Sequence, residues 1–345
     1  MKIKSLKLVY FSPTGTTKKI VEEIARGIRQ NSVEQVDITK PEDRKRQFEA
    51  AEDDLLVVGV PVYFGRVQTD AIEWLNTIKG HNTPAVGVVV YGNREYDDAL
   101  LELKETMASN GCKPVACAAC IGEHSFSSSE TPIAAGRPDT ADLLRARFFG
   151  EEIGKKIRSI PSIDRIGDIS VPGRFPYIDL GDIRRNLSGV DLVSVDGNCV
   201  QCGECARLCP VGAIDFEDIA SVDQSKCILC HACIKHCPTS ARRIKNAMVK
   251  NVASRLSGAL QGRKEPVLFC RIFIRLGNME LQGMGGNAHR TSRFSDWRLK
   301  DWTASWMVRR AGDTIRSEKI DGRCSLCFRR RSEAMAGQAP RFARK

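Results

Sequence analysis

The chain has 345 residues, 42% apolar and 28% charged, a globular composition long enough for two domains, and it excludes wholesale disorder. Its apolar runs, around Leu55–Phe64 and Ala85–Tyr91, fall far short of the ~18 residues of a membrane span. The opening MKIKSLKLVYFSPTG turns polar too early for a signal peptide, so a cytoplasmic protein is expected. Along the first 157 residues, Leu6–Phe11 reads as a buried strand, followed by the polar loop Ser12-Pro13-Thr14-Gly15-Thr16-Thr17 and by Ile20, Val21, Ile24 and Ile28 at helical spacing. Ser32–Thr39 reads as a second strand, Asp54–Val60 as a third, Ala71–Ile78 as a helix and Ala85–Tyr91 as a fourth strand. Asp98–Ala108 is helical, Pro114–Ile121 is a fifth strand, and Leu143, Leu144, Phe148, Ile153 and Ile157 mark a last helix with Asp139 at its N-cap. Continuous apolar strands alternating with helices predict an α/β fold, a doubly wound parallel five-stranded sheet over residues 1–157.

In such a sheet ligands bind beyond the carboxyl ends of the strands, at the switch in strand order. The loop after the first strand offers hydroxyls, a Gly for close backbone approach and a helix N-terminus, which suits a phosphate monoester. It lacks the Gly-Lys-Ser/Thr of a Walker loop and the spacing of a dinucleotide fingerprint. The loops after the third and fourth strands, Pro61-Val62-Tyr63-Phe64-Gly65-Arg66 and Gly92-Asn93-Arg94-Glu95-Tyr96-Asp97-Asp98, each set an aromatic residue near Gly, an arrangement able to sandwich a flat ring. On the S-x-T-G-x-T loop, P-V-Y-x-G-R and Y-G-N-R-x-Y-D-D-A-L, residues 4–157 resemble a flavodoxin-type domain. The resemblance implies FMN as cofactor, with its phosphate held by Ser12, Thr14, Gly15, Thr16 and Thr17. It further implies that Tyr63, beside Pro61, and Tyr96 flank the isoalloxazine, and that Gly92 and Asn93 approach its polar edge. Pro13 and Thr17 depart from the commonest form of the loop.

Residues 158–191, rich in Pro, Gly and Asp, read as a linker that packs along the first domain and helps to cover the flavin. Fourteen cysteines in a chain expected in a reducing compartment point to metal rather than disulfides. Eight of them form one motif twice: Cys199-x2-Cys202-x2-Cys205-x3-Cys209-Pro210 and Cys227-x2-Cys230-x2-Cys233-x3-Cys237-Pro238, starting 28 residues apart. This resembles the run of bacterial two-cluster ferredoxins, in which the fourth Cys ligates the other cluster. The resemblance covers residues 192–245 and implies two [4Fe–4S] clusters in a small α+β domain. Cluster one takes Cys199, Cys202, Cys205 and Cys237; cluster two takes Cys227, Cys230, Cys233 and Cys209. Two zinc knuckles are the competing reading, disfavoured by the repeat and by both Cys-Pro steps. His231 and His236 read as exposed spacers and His124 as a loop residue. Cys117 and Cys120 fall on opposite faces of the fifth strand and, with Cys112, read as packing or surface thiols; Cys270 has no assigned role.

Met248, Val252, Leu256 and Leu260 suggest a helix within 246–270, and GRKEPVLF (262–269) reads as the end of the module. The net charge of +11 then finds its place: residues 271–345 hold 17 basic and 7 acidic residues, a net of +10, leaving +1 for the rest. That tail shows no helical or strand period and reads as unstructured. A basic arm, a small extra domain and an accidental extension are its competing explanations. It contains Cys324-x2-Cys327, a pair without the second pair a zinc site needs.

As a whole, residues 1–270 resemble flavodoxin–ferredoxin fusion proteins of anaerobic bacteria and archaea. The resemblance implies an electron-transfer protein that passes electrons between two [4Fe–4S] clusters and FMN, served by redox partner proteins. The alternative is a flavin-dependent reductase of a small substrate, for which Glu95, Asp97 and His124 are the nearest acid–base candidates. A redox sensor signalling through the basic tail is a third reading, and nucleic acid is otherwise not expected as a partner.

Overall fold

The computed structural model describes residues 1–179 and 193–270. The end of the expected linker, the whole basic tail and the Cys324/Cys327 pair lie outside the described residues. The strands are β1 (Ser5–Tyr10), β2 (Val33–Asp37), β3 (Glu49–Ala50), β4 (Asp54–Tyr63), β5 (Arg66–Val67), β6 (Lys79–Gly80), β7 (Thr83–Tyr91), β8 (Cys112–Ile121), β9 (Val193–Val195), β10 (Arg242–Ile244) and β11 (Val267–Phe269). The helices are α1 (Thr16–Ile28), α2 (Thr69–Leu75), α3 (Ala99–Ser109), α4 (Thr140–Ser159), α5 (Glu204–Arg207), α6 (Ala232–Lys235) and α7 (Ala247–Ala259).

The five expected strands pair in parallel in the order β2-β1-β4-β7-β8, and the order reverses at β1 and β4. β7 is buried along its whole length, as is β4 up to Val60, because helices cover both faces of the sheet. One face packs α2 and α3 over a core that includes Val9, Val58, Val89, Leu100 and Leu103. The other packs α1 and α4 over Leu8, Val57, Val88, Ile24 and Phe149. α1 and α4 meet backbone to backbone: a Cβ on Gly27 would stand 2.0 Å from Arg147 O, and one on Gly150 2.0 Å from Ile24 O. Asp139 caps α4 in a reciprocal box with Asp142, as its sequence position foretells. Cys117 and Cys120 do fall on opposite faces, one in each core.

Two features go beyond the sequence reading. The segment expected to end the module is β11, which adds to β8 antiparallel with Val267 opposite Ala119 and Phe269 opposite Cys117; Cys270 packs beneath it against the second core. Three residues on a sheet edge carry too short a pattern to announce a strand. The described part of the linker lies along α3 and against Arg66 and Asp98, at the ends of the two aromatic loops. Asp98 accepts the Arg174 and Ile178 backbone N–H groups at 2.9 and 3.0 Å, and the Arg66 guanidinium lies 4.7 Å from the Tyr177 ring centre. Arg66 also pairs with the buried Glu102.

Between the linker and β11 the chain makes the cysteine-rich excursion. Its β9–β10 ribbon is antiparallel, and α7 packs Val249 and Ala253 against Val193, Leu229, Phe126 and Ile133. The helix exists where expected, with its most buried stripe one residue later than the Met248–Val252–Leu256–Leu260 row. Phe126 and Ile133 come from the loop between β8 and α4, so the excursion and the sheet share this core. Lys235 and Glu123 join them at 2.6 Å, Ser257 Oγ donates to Pro132 O at 2.9 Å, and Arg44 Nη2 donates to Pro210 O at 2.8 Å. Among the described residues no helix is long and apolar enough to cross a membrane.

Candidate cofactor sites

A cavity opens beyond the carboxyl ends of the parallel strands, where the switch in strand order places it. Thr14 and Thr16 line it from the loop after β1; Pro61, Val62, Tyr63, Phe64 and Gly65 from β4 and the turn after it; Val90, Tyr91, Gly92, Arg94 and Glu95 from β7 and its loop; Gly122, Glu123, His124 and Ser125 from the turn after β8. The hydroxyls of Thr14 and Thr16 stand 3.4 Å apart at the N-terminus of α1, whose first turn carries no acidic residue to oppose an anion. Gly15 caps the helix in the left-handed region at φ 81°.

Of the residues carried over from the flavodoxin resemblance, the structure brings Thr14, Thr16, Pro61, Tyr63 and Gly92 to this cavity. Ser12 and Gly15 shape the loop instead: Ser12 Oγ accepts the Lys18 backbone N–H at 3.0 Å and Ser12 O accepts that of Gly15 at 3.1 Å. Thr17 is buried against Gly59, and its Oγ1 has no hydrogen-bond partner among the described residues. Tyr96 is 8% exposed and sits in the core with its ring 5.4 Å from that of Tyr91, and it is Tyr91 that forms the cavity wall. Asn93 is also turned away: its Nδ2 donates to Leu260 O and Gly262 O, both at 3.0 Å. The reason is tertiary. The returning C-terminal segment needs a donor at that point, and the tyrosine of the sequence motif is drawn into the apolar core beside α3. Of the acid–base candidates, Glu95 and His124 line the cavity, whereas Asp97 is paired with Arg94.

The second site lies in the excursion. Cys209, Cys227, Cys230 and Cys233 line one cavity together with Val193, Pro210, Ile214, Val222 and Ile228. This is the set expected for cluster two, with Cys209 reaching across from the first motif. Burial pushes the Cys227 and Cys230 thiols up, and the Cys233 thiol to about 12; each is raised further by its neighbouring cysteines. Four thiolates packed in apolar surroundings need a positive centre among them, and metal ligation deprotonates such thiols outright. For cluster one, Cys199 and Cys205 pack against Ala206, Ile214 and Ile219, and Cys202 is exposed. Burial opposes charge at Cys237, but bonds from the Arg242, Thr239 and Ala241 backbones and from the Thr239 hydroxyl outweigh it, so this thiol falls below its ordinary value. Among the described residues no three Cys, His, Asp or Glu side chains are gathered tightly enough to share a single metal ion. The donor set fits a cluster that fills the space between four thiols.

The two sites touch. Cys230 lines both cavities, and the half-buried Tyr63 phenol, raised chiefly by desolvation, also feels Cys230 and Cys227. His231, expected as an exposed spacer, is 3% exposed. It starts α6 in the left-handed region at φ 55°, and its Nδ1 donates to Ser125 O at 3.0 Å. Its position against the sheet domain could not be read from the cysteine spacing. His236 is exposed as expected.

Comparison with known proteins follows the same division. Residues 7–124 match the family model of a flavodoxin domain, and residues 198–241 match that of a 4Fe-4S dicluster domain. Flavodoxin and two-cluster ferredoxin domains in one chain make this an electron-transfer protein, with FMN and two [4Fe–4S] clusters as its cofactors. No curated protein matches the sequence. Among solved structures, a flavodoxin from the domain Archaea is 16% identical, with 45% of this chain and 99% of that chain covered and a TM-score of 0.30. The Streptococcus pneumonia TIGR4 flavodoxin is 17% identical, covering 44% and 99%, at 0.32. The Fusobacterium nucleatum flavodoxin bound to flavin mononucleotide is 15% identical, covering 45% and 98%, at 0.31.

Proposed function

We propose that this chain, a flavodoxin domain joined to a two-cluster ferredoxin domain, passes electrons between its two [4Fe–4S] clusters and FMN. The observation that carries this reading is Cys230, a cluster-two ligand that lines the flavin cavity as well as its own. When bound, the clusters exchange single electrons and FMN accepts one or two. Cys209, Cys227, Cys230 and Cys233 hold cluster two, and Val193, Pro210, Ile214, Val222 and Ile228 exclude water around it. Thr14 and Thr16 with the N-terminus of α1 bind the FMN phosphate, and the rings of Tyr63, Phe64 and Tyr91 wall the isoalloxazine. Cys199, Cys202, Cys205 and Cys237 hold cluster one on the outer side. The exposure of Cys202 supports exchange with a redox partner protein at that cluster. Joining both domains in one chain sets a high effective concentration of donor and acceptor. Eight unbridged ligand cysteines support a reducing compartment, the cytoplasm.

The test is made on anaerobically purified chain. About eight iron, eight sulfide and one FMN are expected per chain. After rapid photoreduction of the clusters, flavin reduction is expected to be first-order and independent of protein concentration. Zinc without sulfide, or a flavin reduced only in encounters between molecules, overturns the reading.

A further inference from the structure

The turn after β8 carries a polar ring with no part in the assignment above. His124 lines the flavin cavity. Its Nδ1 accepts the Phe126 backbone N–H at 3.0 Å, which places the proton of the neutral imidazole on Nε2. One side of the ring is set by Gly92: a Cβ there would stand 2.4 Å from His124 Cδ2 and 2.8 Å from its Cβ and Cγ. Any larger residue at position 92 would displace the imidazole, so this glycine is required by close approach. Another side is set by the Phe126 ring, edge-on with centres 5.0 Å apart. Phe126 is in turn backed by the His231 ring at 5.0 Å, and His231 is anchored to Ser125 O. Burial, with His231, Lys235 and Arg94 nearby, lowers the imidazole to about 3, so it stays neutral. Nε2–H has no hydrogen-bond partner among the described residues. A ring fixed by its other nitrogen, by a glycine and by an edge-on aromatic thus presents one unspent donor to the cavity.

We propose that His124 is a flavin-binding residue whose Nε2–H donates to an acceptor on the isoalloxazine edge beside Gly92. The proposal rests on the reading of this cavity as the FMN site. The ring is favoured over the phosphate as the acceptor because of position. Thr14, Thr16 and the N-terminus of α1 serve the phosphate on the β1 side, whereas Cδ2, the carbon next to Nε2, lies against Gly92 on the β7 side. A donor held toward a ring that gains negative charge on reduction binds the reduced form more tightly than the oxidised one.

The experiment is an FMN titration and a potentiometric titration of the cluster-loaded full chain, wild type against two variants, with iron content as the check on folding. His124→Phe keeps a ring and loses the donor; His124→Gln restores an amide N–H near the Nε2 position. His124→Phe is expected to weaken FMN binding about three- to tenfold. It should also move the flavin midpoint potential to more negative values, with His124→Gln recovering most of both changes. If His124→Phe loses its iron, His124→Asn, which keeps an acceptor for the Phe126 N–H but not the outer donor, takes its place with the same expectation. A Gln variant no better than the Phe or Asn variant overturns the proposal, as does weakened affinity with an unchanged potential. A wild type that binds no FMN refutes the reading of the cavity instead.

Discussion

The sheet domain and the cysteine-rich excursion reach a folded state by different means. In the first, strands such as β4 and β7 bury Leu, Val and Ala on both faces, and four helices close two separate apolar cores. In the second, roughly fifty residues form two helices of four residues each and a three-residue ribbon. Their buried apolar set, Ala206, Ala213, Ile214, Ile219, Leu229 and a few neighbours, is small. A segment of that size cannot bury enough surface to hold itself, and the two clusters its domain implies supply what the core lacks. For the sheet a cofactor is a guest at the rim; for the excursion it is part of the interior.

The sharpest way to break this contrast is to remove the iron. Chelation under reducing conditions is expected to open residues 193–244 to amide exchange and proteolysis while β1, β4, β7 and β8 stay protected. Loss of the sheet together with the excursion would show that the two are not energetically separate. Arg137→Ala removes the buried one of the two arginines that pair with Asp142, and the donor to Lys264 O at 2.7 Å, which tethers the segment leading to β11. It should destabilise the sheet domain by about 3 kcal/mol, read by denaturant unfolding. Leu8→Ala, at a fully buried position, should cost about 3 kcal/mol and leave the iron content of the folded protein unchanged.

A pH series sharpens the boundary between the two regions. Folded His124 takes up a proton only near about 3, against an ordinary 6.5. Between those values the unfolded chain binds more protons, so the stability contributed by the neutral imidazole is complete above pH 6.5 and is lost as pH falls. The wild type should lose about 2 kcal/mol more than the His124→Gln variant between pH 7 and pH 5. The smallest effect is at the cap of α4, where Asp139→Ala should cost about 1 kcal/mol in thermal unfolding.

Much of this was legible in the residues. The alternation of apolar runs and helical stripes places all five parallel strands, and the repeat of Cys199–Cys209 in Cys227–Cys237 carries the resemblance that implies a crossed ligand set. Both are local: a strand buried on two faces must be apolar throughout, and four thiols at fixed spacing suit one kind of centre. Tyr96 and Asn93 were not legible. A motif gives the loop but not which way each side chain turns, and here the apolar core claims the tyrosine while Leu260 O and Gly262 O claim the asparagine. Phe64 and His124 were in view as loop residues; Tyr91 could have been found only as the end of a strand flanking the switch point, where the next residues line whatever binds.

By itself the sequence determined the two modules and their cofactors, because period, spacing and residue type act over a few turns of chain. Only the tertiary structure decided which cysteine stands between the two cavities. The loop from β8 to α4 packs Phe126 and Ile133 against the excursion, and the chain returns to the sheet as β11. Together these contacts set Cys230, rather than a cysteine of the first motif, at the wall of the cavity beyond the strand ends. They join residues more than a hundred positions apart, a distance over which no local pattern reports.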